Sequence, residues 1–385
     1  MRLIILLVLL TALMLFSSFQ TAKAEDLLVP DDYITIEEAM EEAEFGDTVV
    51  VLPGTYNERV VIKEGVNLVS FAGDDGDQLV DGPGDKKVLK RAVRTIIDGT
   101  GITEPGYLVS FAKETTAPMR LDGFTIVNMP KYFSGINLFI MEIRGSSPVV
   151  VNNIISGNRS WGGILSTGLG IGMGPELETV ASPLIQHNVI FNNDGPGISN
   201  GANSGALIKD NEIFNNHFPE EGPIGQNAPC VGVREYARPI IDSNICYNNG
   251  VGVGGINLDS HDQPLIIRNN TIRNNTQAGI GLRAIGGVKT NVTTVIENNR
   301  VYENVNAGMR LIKVDAATIV FNKIHDNRRG GIVFSNVDEV IVEDNEIYGN
   351  LTTGIRILDV PKAQIRRNHI YNNATAGIDF LTWDR

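Results

Sequence analysis

Residues Gly331 to Gly377 read GIVFSNVDEVIVEDNEIYGNLTTGIRILDVPKAQIRRNHIYNNATAG, and this run contains two windings of one repeat. An Asn, any residue and then Ile occur at Asn345-Glu346-Ile347 and again at Asn368-His369-Ile370. Each Asn is followed nine positions later by a glycine, Gly354 and Gly377, and each glycine fourteen positions later by the next Asn, so the period is 23 residues. A fixed period of this length marks a solenoid, in which each repeat is one supersecondary unit stacked on its neighbours.

The same register extends backwards through Asn322, Asn299, Asn270, Asn244, Asn211, Asn188 and Asn153. Successive spacings from Asn153 to Asn368 are 35, 23, 33, 26, 29, 23, 23 and 23, and the excess over 23 is insertion. After Asn153 the repeat glycine is read at Gly162 and the extra residues follow it. After Asn211 it is read at Gly232 and the extra residues precede it. Two long insertions result, about Leu165–Ala181 and His217–Val231.

Each repeat offers three short apolar segments, as at Glu339–Val342, around Ile347 and at Gly354–Ile357, bounded by Asn, Gly and Asp that suit tight turns. A strand of four residues cannot bury a face alone. Stacked at about 4.8 Å per coil, such strands pair in parallel and their inward Ile, Val and Leu form one core. The fold class expected is an all-β, single-stranded right-handed parallel β-helix, with three strands per coil and about twelve coils. The repeated Asn fits a ladder, because an amide both donates and accepts. The second Asn of each repeat, as in Asn274 or Asn372, is expected to form a parallel ladder. A leucine-rich repeat would need a Leu-dominated pattern with a helix per repeat, which the sequence lacks.

The ends frame this solenoid. Arg2, an apolar run from Leu3 to Phe16 and Ala22-Lys23-Ala24 have the form of a cleaved export signal over residues 1–24, so the chain is expected to be secreted or periplasmic. Thr35-Ile36-Glu37-Glu38 is a capping box, and Ile36, Ala39, Met40 and Ala43 share one helical face. A short α-helix within residues 25–47 is therefore expected to cap the first coil of a β-helix spanning 48–385, with the preceding stretch to Asp32 as loop. After the last coil Trp383 is placed to fold over the end; otherwise that edge is open, and end-to-end self-association is a hypothesis.

Without Arg2 and Lys23 the 32 basic residues fall to 30 against 45 acidic ones, a charge of −15. That balance disfavours nucleic acid, whose binding requires basic neutralisation. No later stretch is long and apolar enough to span a membrane. Cys230 and Cys246 either pair or stay as two buried thiols.

Tyr33-Ile34-Thr35-Ile36-Glu37-Glu38-Ala39 followed by Gly46-Asp47-Thr48-Val49-Val50-Val51-Leu52-Pro53-Gly54-Thr55-Tyr56-Asn57-Glu58 resembles the opening of pectin-lyase-like right-handed parallel β-helix proteins. That opening marks fold rather than reaction. The resemblance implies an exported protein that engages a polysaccharide or cell-surface glycan, as a lyase or C5-epimerase on a uronate-containing polymer. The alternatives are a non-catalytic carbohydrate-binding or surface β-helix, and a periplasmic accessory protein resembling the nitrous oxide reductase maturation factor.

Asp259-Ser260-His261-Asp262 is similar to the Asp-Pro-His-acid motif of mannuronan C5-epimerases, with Ser in place of Pro. The resemblance implies Asp259, His261 and Asp262 as acid/base groups for proton abstraction beside a carboxylate. One coil later stands Arg283, and Arg234, Arg238, Arg268 and Arg310 occupy nearby coils, a row able to neutralise uronate carboxylates or to act as the base of a lyase, and equally readable as an outward polar face with Glu235 and Glu297. Asp194, Asp210 and Asp242 recur on successive coils, and carboxylates are the ligand type for Ca²⁺, so calcium is the ion the sequence leaves open. The five His residues show no paired metal-ligand spacing.

Overall fold

The computed structural model describes residues 23–129, 139–159, 162–167, 181–218, 228–258, 263–284 and 292–381. Most of the proposed signal segment, the middle of both long insertions and Trp383 lie outside the described residues. Three parallel sheets of 13, 12 and 12 strands run the length of the molecule; each of twelve coils gives one strand to each sheet, and the N-terminal strand Asp26–Val29 adds the thirteenth to the first. The register is regular at the C-terminal end. Val340 pairs with Ala317 and Ala363, Ile347 with Ile324 and Ile370, and Ile355 with Ile332 and Ile378. Alternate residues point inward, so Val340, Val342, Ile347, Ile355 and Ile357 are buried in one continuous core. The parallel β-helix expected from the 23-residue period is thus present.

The Asn ladder is also present and accounts for the spacing. The Asn322 backbone N–H and side-chain Nδ2 both donate to Asn345 Oδ1, at 2.9 and 3.0 Å, and Nδ2 also reaches the Ile296 carbonyl at 2.8 Å. The residue before each rung turns the chain in the left-handed region, as at Phe321 (φ 58), Asp344 (φ 55) and Arg367 (φ 55). A second ladder runs through Asn275, Asn304, Asn327, Asn350 and Asn373. It is displaced by one from the sequence expectation. Asn274 and Asn372 instead hold the left-handed turn (φ 54 and 51), and the following Asn stacks. Two adjacent Asn divide the two tasks for which Asn is suited, and the sequence does not say which does which.

Helix α1 (Ile36–Glu42) closes the N-terminal end with the capping box read from the sequence: Thr35 Oγ1 accepts from the Glu38 N–H at 3.1 Å, and Glu38 accepts from the Thr35 N–H at 3.3 Å. Ile36, Ala39 and Met40 are its buried face. The segment before it is not loop. Asp26–Val29 pairs in parallel with Thr48–Val51, because alternate Leu27 and Val29 find space beneath the helix. No described helix is long and apolar enough to cross a membrane. At the opposite end the last coil exposes Ile378, Phe380 and Leu381.

Residues 71–94, whose stretch Gly73 to Lys87 has the Gly- and Asp-rich composition of a polar loop, form a strap. A hairpin (Leu79–Asp81 with Lys87–Leu89) and helix α2 (Lys90–Arg94) lie over the outer face of the second sheet, where Val88 and Ala92 pack on Ile154, Val189, Phe214 and Tyr247. The strap is gripped by Glu212, whose buried carboxylate accepts from the backbone N–H of Asp85 (2.6 Å) and of Lys86 (2.9 Å) and from Tyr247 Oη (2.9 Å). Arg91, itself buried, bridges to Asp122 at 2.7 Å.

Cys230 and Cys246 form a disulfide with Cα atoms 5.8 Å apart, inside the core. Strand register also corrects the repeat glycine of that coil. Ile198 pairs with Val231, so Cys230 stands opposite Gly197, and Gly232 falls opposite Ser199. Gly232 is therefore an outward residue, and this matters for the site.

Candidate functional site

The outer face of the third sheet departs from the rest of the solenoid. Its outward positions form two columns. In the first, Ser199, Gly232, Gly254, Gly281 and Arg310 follow one another on five successive coils. In the second, Arg234 stands beside Ile256, and Arg283 beside Ile312. Three adjacent glycines remove side chains from the first column and leave a groove of about 340 Å³. Pro229, Val251, Ala278 and Asn306 rise on one side of the floor, and Arg234, Ile256 and Arg283 on the other.

These floor glycines are not required by the backbone. A Cβ at Gly281 would meet nothing nearer than 3.6 Å, and at Gly232 and Gly254 its one tight contact would be the Pro229 ring, at 3.1 and 3.0 Å, with every other atom at 3.6 Å or beyond. Two residues before Gly281 the situation is opposite. A Cβ at Gly279 would lie 2.4 Å from Val301 Cγ1 and 2.8 Å from the Gly308 carbonyl. Gly279 is therefore demanded by packing, whereas Gly281 leaves open space that a side chain would fill.

The sequence had grouped five arginines, and the structure divides them. Arg234, Arg283 and Arg310 line the groove, and their guanidiniums have no ion-pair or hydrogen-bond partner among the described residues. Arg268 lies on the first sheet and bridges to Asp242 at 2.9 Å. Arg238 is buried and donates to the Ala237 carbonyl at 2.7 Å. Three unpaired guanidiniums at one groove are a local positive field on a chain of net charge −13.

Asp259, His261 and Asp262 lie outside the described residues, so their side chains are not placed. The strand that leads into them, Val251–Leu258, borders the groove through Gly254, Gly255 and Ile256. The ladder slips along that strand. Gly255 pairs with Leu282 but Leu258 with Ala284, so one extra residue is accommodated just before Asp259. Bulges of this kind re-aim side chains and are common beside active sites.

The three acids read as calcium candidates have other partners. Asp242 accepts from Arg268, Asn269 and Ser243, which hold its carboxyl below the usual range against the opposing effect of burial. Asp194 meets Arg159 at 3.3 Å, and Asp210 accepts from Gln186 at 3.2 Å. No group of three or more His, Cys, Asp or Glu able to hold a metal occurs among the described residues.

One feature was missed. Further along the same outward column Glu142 pairs with Leu165, which pairs with Ser199. Glu142 is only 4% exposed and meets Lys113 Nζ at 3.0 Å. Burial, and then the Glu142 charge, push the Tyr107 phenol well above its ordinary value. No period or motif marks this cluster in the sequence.

A family model described as a right handed beta helix region matches residues 176–293 and 255–383, together 176–383 and so more than half of the chain. The chain belongs to that right-handed β-helix family. No curated protein sequence matches it. Among solved structures it is similar to the periplasmic alginate epimerase AlgG, with a TM-score of 0.53 and 12% identity over 92% of this chain and 83% of that one. The A-module of the Azotobacter vinelandii mannuronan C-5 epimerase AlgE6 gives 0.56 and 15%, covering 90% and 93%. The catalytic unit of a GH87 alpha-1,3-glucanase from Streptomyces thermodiastaticus gives 0.57 and 13%, covering 90% and 62%. At these identities the likeness is one of fold.

Proposed function

We propose that this is an exported protein that holds a uronate-containing polysaccharide in the groove of the third sheet and acts on it as a lyase or C5-epimerase. The observation that carries the reading is the pairing of a side-chain-free floor, Gly232, Gly254 and Gly281, with three unpaired arginines, Arg234, Arg283 and Arg310. Pyranose rings need a shallow apolar bed, and carboxylates need forked donors, which guanidinium supplies. The fold neighbours that act on alginate or glucan are consistent with a glycan ligand.

In the chemistry proposed, Arg283 neutralises the uronate carboxylate and makes the adjacent C5–H more acidic. A base among Asp259, His261 and Asp262 removes that proton, and the electron pair moves into the carboxylate. Return of a proton to the opposite face gives the epimer. Expulsion of the C4 oxygen, protonated as it leaves, gives the unsaturated product. Export is supported by the buried Cys230–Cys246 disulfide, since such bonds persist in oxidising compartments.

A second reading, binding without chemistry, is favoured by one observation: the described groove residues include no carboxylate, imidazole or phenol. One assay separates the two. Purified protein lacking residues 1–24 is incubated with alginate and pectate, with and without Ca²⁺. The catalytic reading expects an ultraviolet-absorbing unsaturated uronate, or solvent deuterium at C5 by NMR. Binding without either product would leave the non-catalytic reading.

A further inference from the structure

The floor of the groove is bounded along the solenoid axis, not only at its sides. On the C-terminal side the glycine column stops at Arg310, and the next coils place Val333 and Arg356 in the same column. Side chains there rise where glycines had left space. On the N-terminal side the column continues as Ser199, half-buried Leu165 and buried Glu142, so side chains again stand where the glycines had left space. Phe218 and Pro196 line the same end. The open floor thus spans three successive coils, about 14 Å at ~4.8 Å per coil, or roughly three pyranose rings.

We infer that the groove takes the terminus of an acidic glycan, or a short acidic oligosaccharide, and not the middle of a long chain laid along the axis. This rests on the acidic-glycan reading above. Arg310 has two roles in it. It is the end wall of the window, and with Arg283 it meets the carboxylate of the sugar lodged there. The apolar end at Phe218, Pro196 and Pro229 faces the neighbouring ring.

The test is calorimetric titration of the mature protein with oligouronates from dimers to decamers, and with one polymer before and after sonication at equal mass. Affinity is expected to level off by about three residues, the length set by three coils of floor. Sonicated polymer is expected to bind in proportion to its number of ends. Arg310→Gly removes the wall and is expected to move the plateau to longer oligomers, which a merely structural arginine would not do. Affinity that climbs steadily to the decamer, or equal binding by intact and sonicated polymer, overturns the inference while leaving the acidic-glycan reading in place. No binding to any acidic oligomer removes that reading, and the inference with it.

Discussion

Cys230 is bonded to Cys246, and each stands where neighbouring coils carry a different residue type. Cys230 is opposite Gly197, and Cys246 pairs with Ile213 on one side and Ile272 on the other. In other coils the repeat glycine packs against the Ile of the next coil, and a Cβ at Gly331 would lie 2.6 Å from Ile347 Cγ2. The disulfide thus replaces a Gly·Ile contact with a Cys·Cys bond in the same space.

That replacement has a measurable consequence. The bond closes a loop of sequence separation 16, which on the chain-entropy model contributes about 3 kcal/mol. The double variant Cys230→Ser/Cys246→Ser should lose about that much in urea unfolding, and Cys230→Gly/Cys246→Ile, which restores the repeat pair, should lose clearly less. Equal losses in the two variants would show that the glycine position is not what accommodates the bond.

Adjacent asparagines should respond in opposite ways. Asn275 Oδ1 accepts from the Asn249 N–H at 3.0 Å and its Nδ2 donates to Asn304 at 2.9 Å, all buried. Asn275→Ala leaves those groups unpaired and should cost about 2–4 kcal/mol. Asn274 holds the left-handed backbone, and its side chain makes only outer contacts, donating to Glu303 at 3.2 Å and accepting from Arg273 at 3.4 Å, so Asn274→Gly should cost under about 1 kcal/mol. Chemical unfolding of the two variants decides it, and a reversed order would put the ladder on the wrong residue.

The strap should depend on one carboxylate. Glu212→Gln keeps a single acceptor oxygen in place of two, so the Asp85 and Lys86 amides should exchange with deuterium faster while the coils stay protected. Burial, and then Glu212, raise the Tyr247 phenol above its ordinary value. A raised phenol favours the folded state while protonated. Strap protection should therefore hold up to about pH 10, the unfolded-state value, and fall above it. Protection lost well below that pH would contradict the contact.

Two glycines two residues apart should separate structure from function. Gly279→Ala collides with Val301 and the Gly308 carbonyl and should lower the melting temperature. Gly281→Leu points outward into free space, should fold as the parent does, and should abolish glycan binding. A Gly281→Leu protein that binds glycan normally would show that the floor is not the site.

The fold was legible because one physical requirement, stacking, repeats in every coil and therefore appears as a period. The helix at Ile36–Glu42 was legible through its capping box. The strap was not, because its hold on Glu212 spans more than a hundred residues and uses backbone N–H groups that no side-chain pattern reveals. The groove was half legible. The arginines were visible as a set, but only strand register separates Arg283 and Arg310 from Arg268, and only register shows Gly232 facing outward with Gly254 and Gly281.

Arg283 and Arg310 are expected to select acidic over neutral glycan, and titration of the protein and its Arg283→Ala/Arg310→Ala variant with a uronate oligomer and a neutral oligomer of equal length, at low and physiological salt, decides it. The uronate should bind, the neutral oligomer should not, and the variant should lose about 100-fold or more, since a hydrogen bond to a charged group is worth roughly 1.5–3 kcal/mol. Equal affinity for both oligomers, or no loss in the variant, would contradict it.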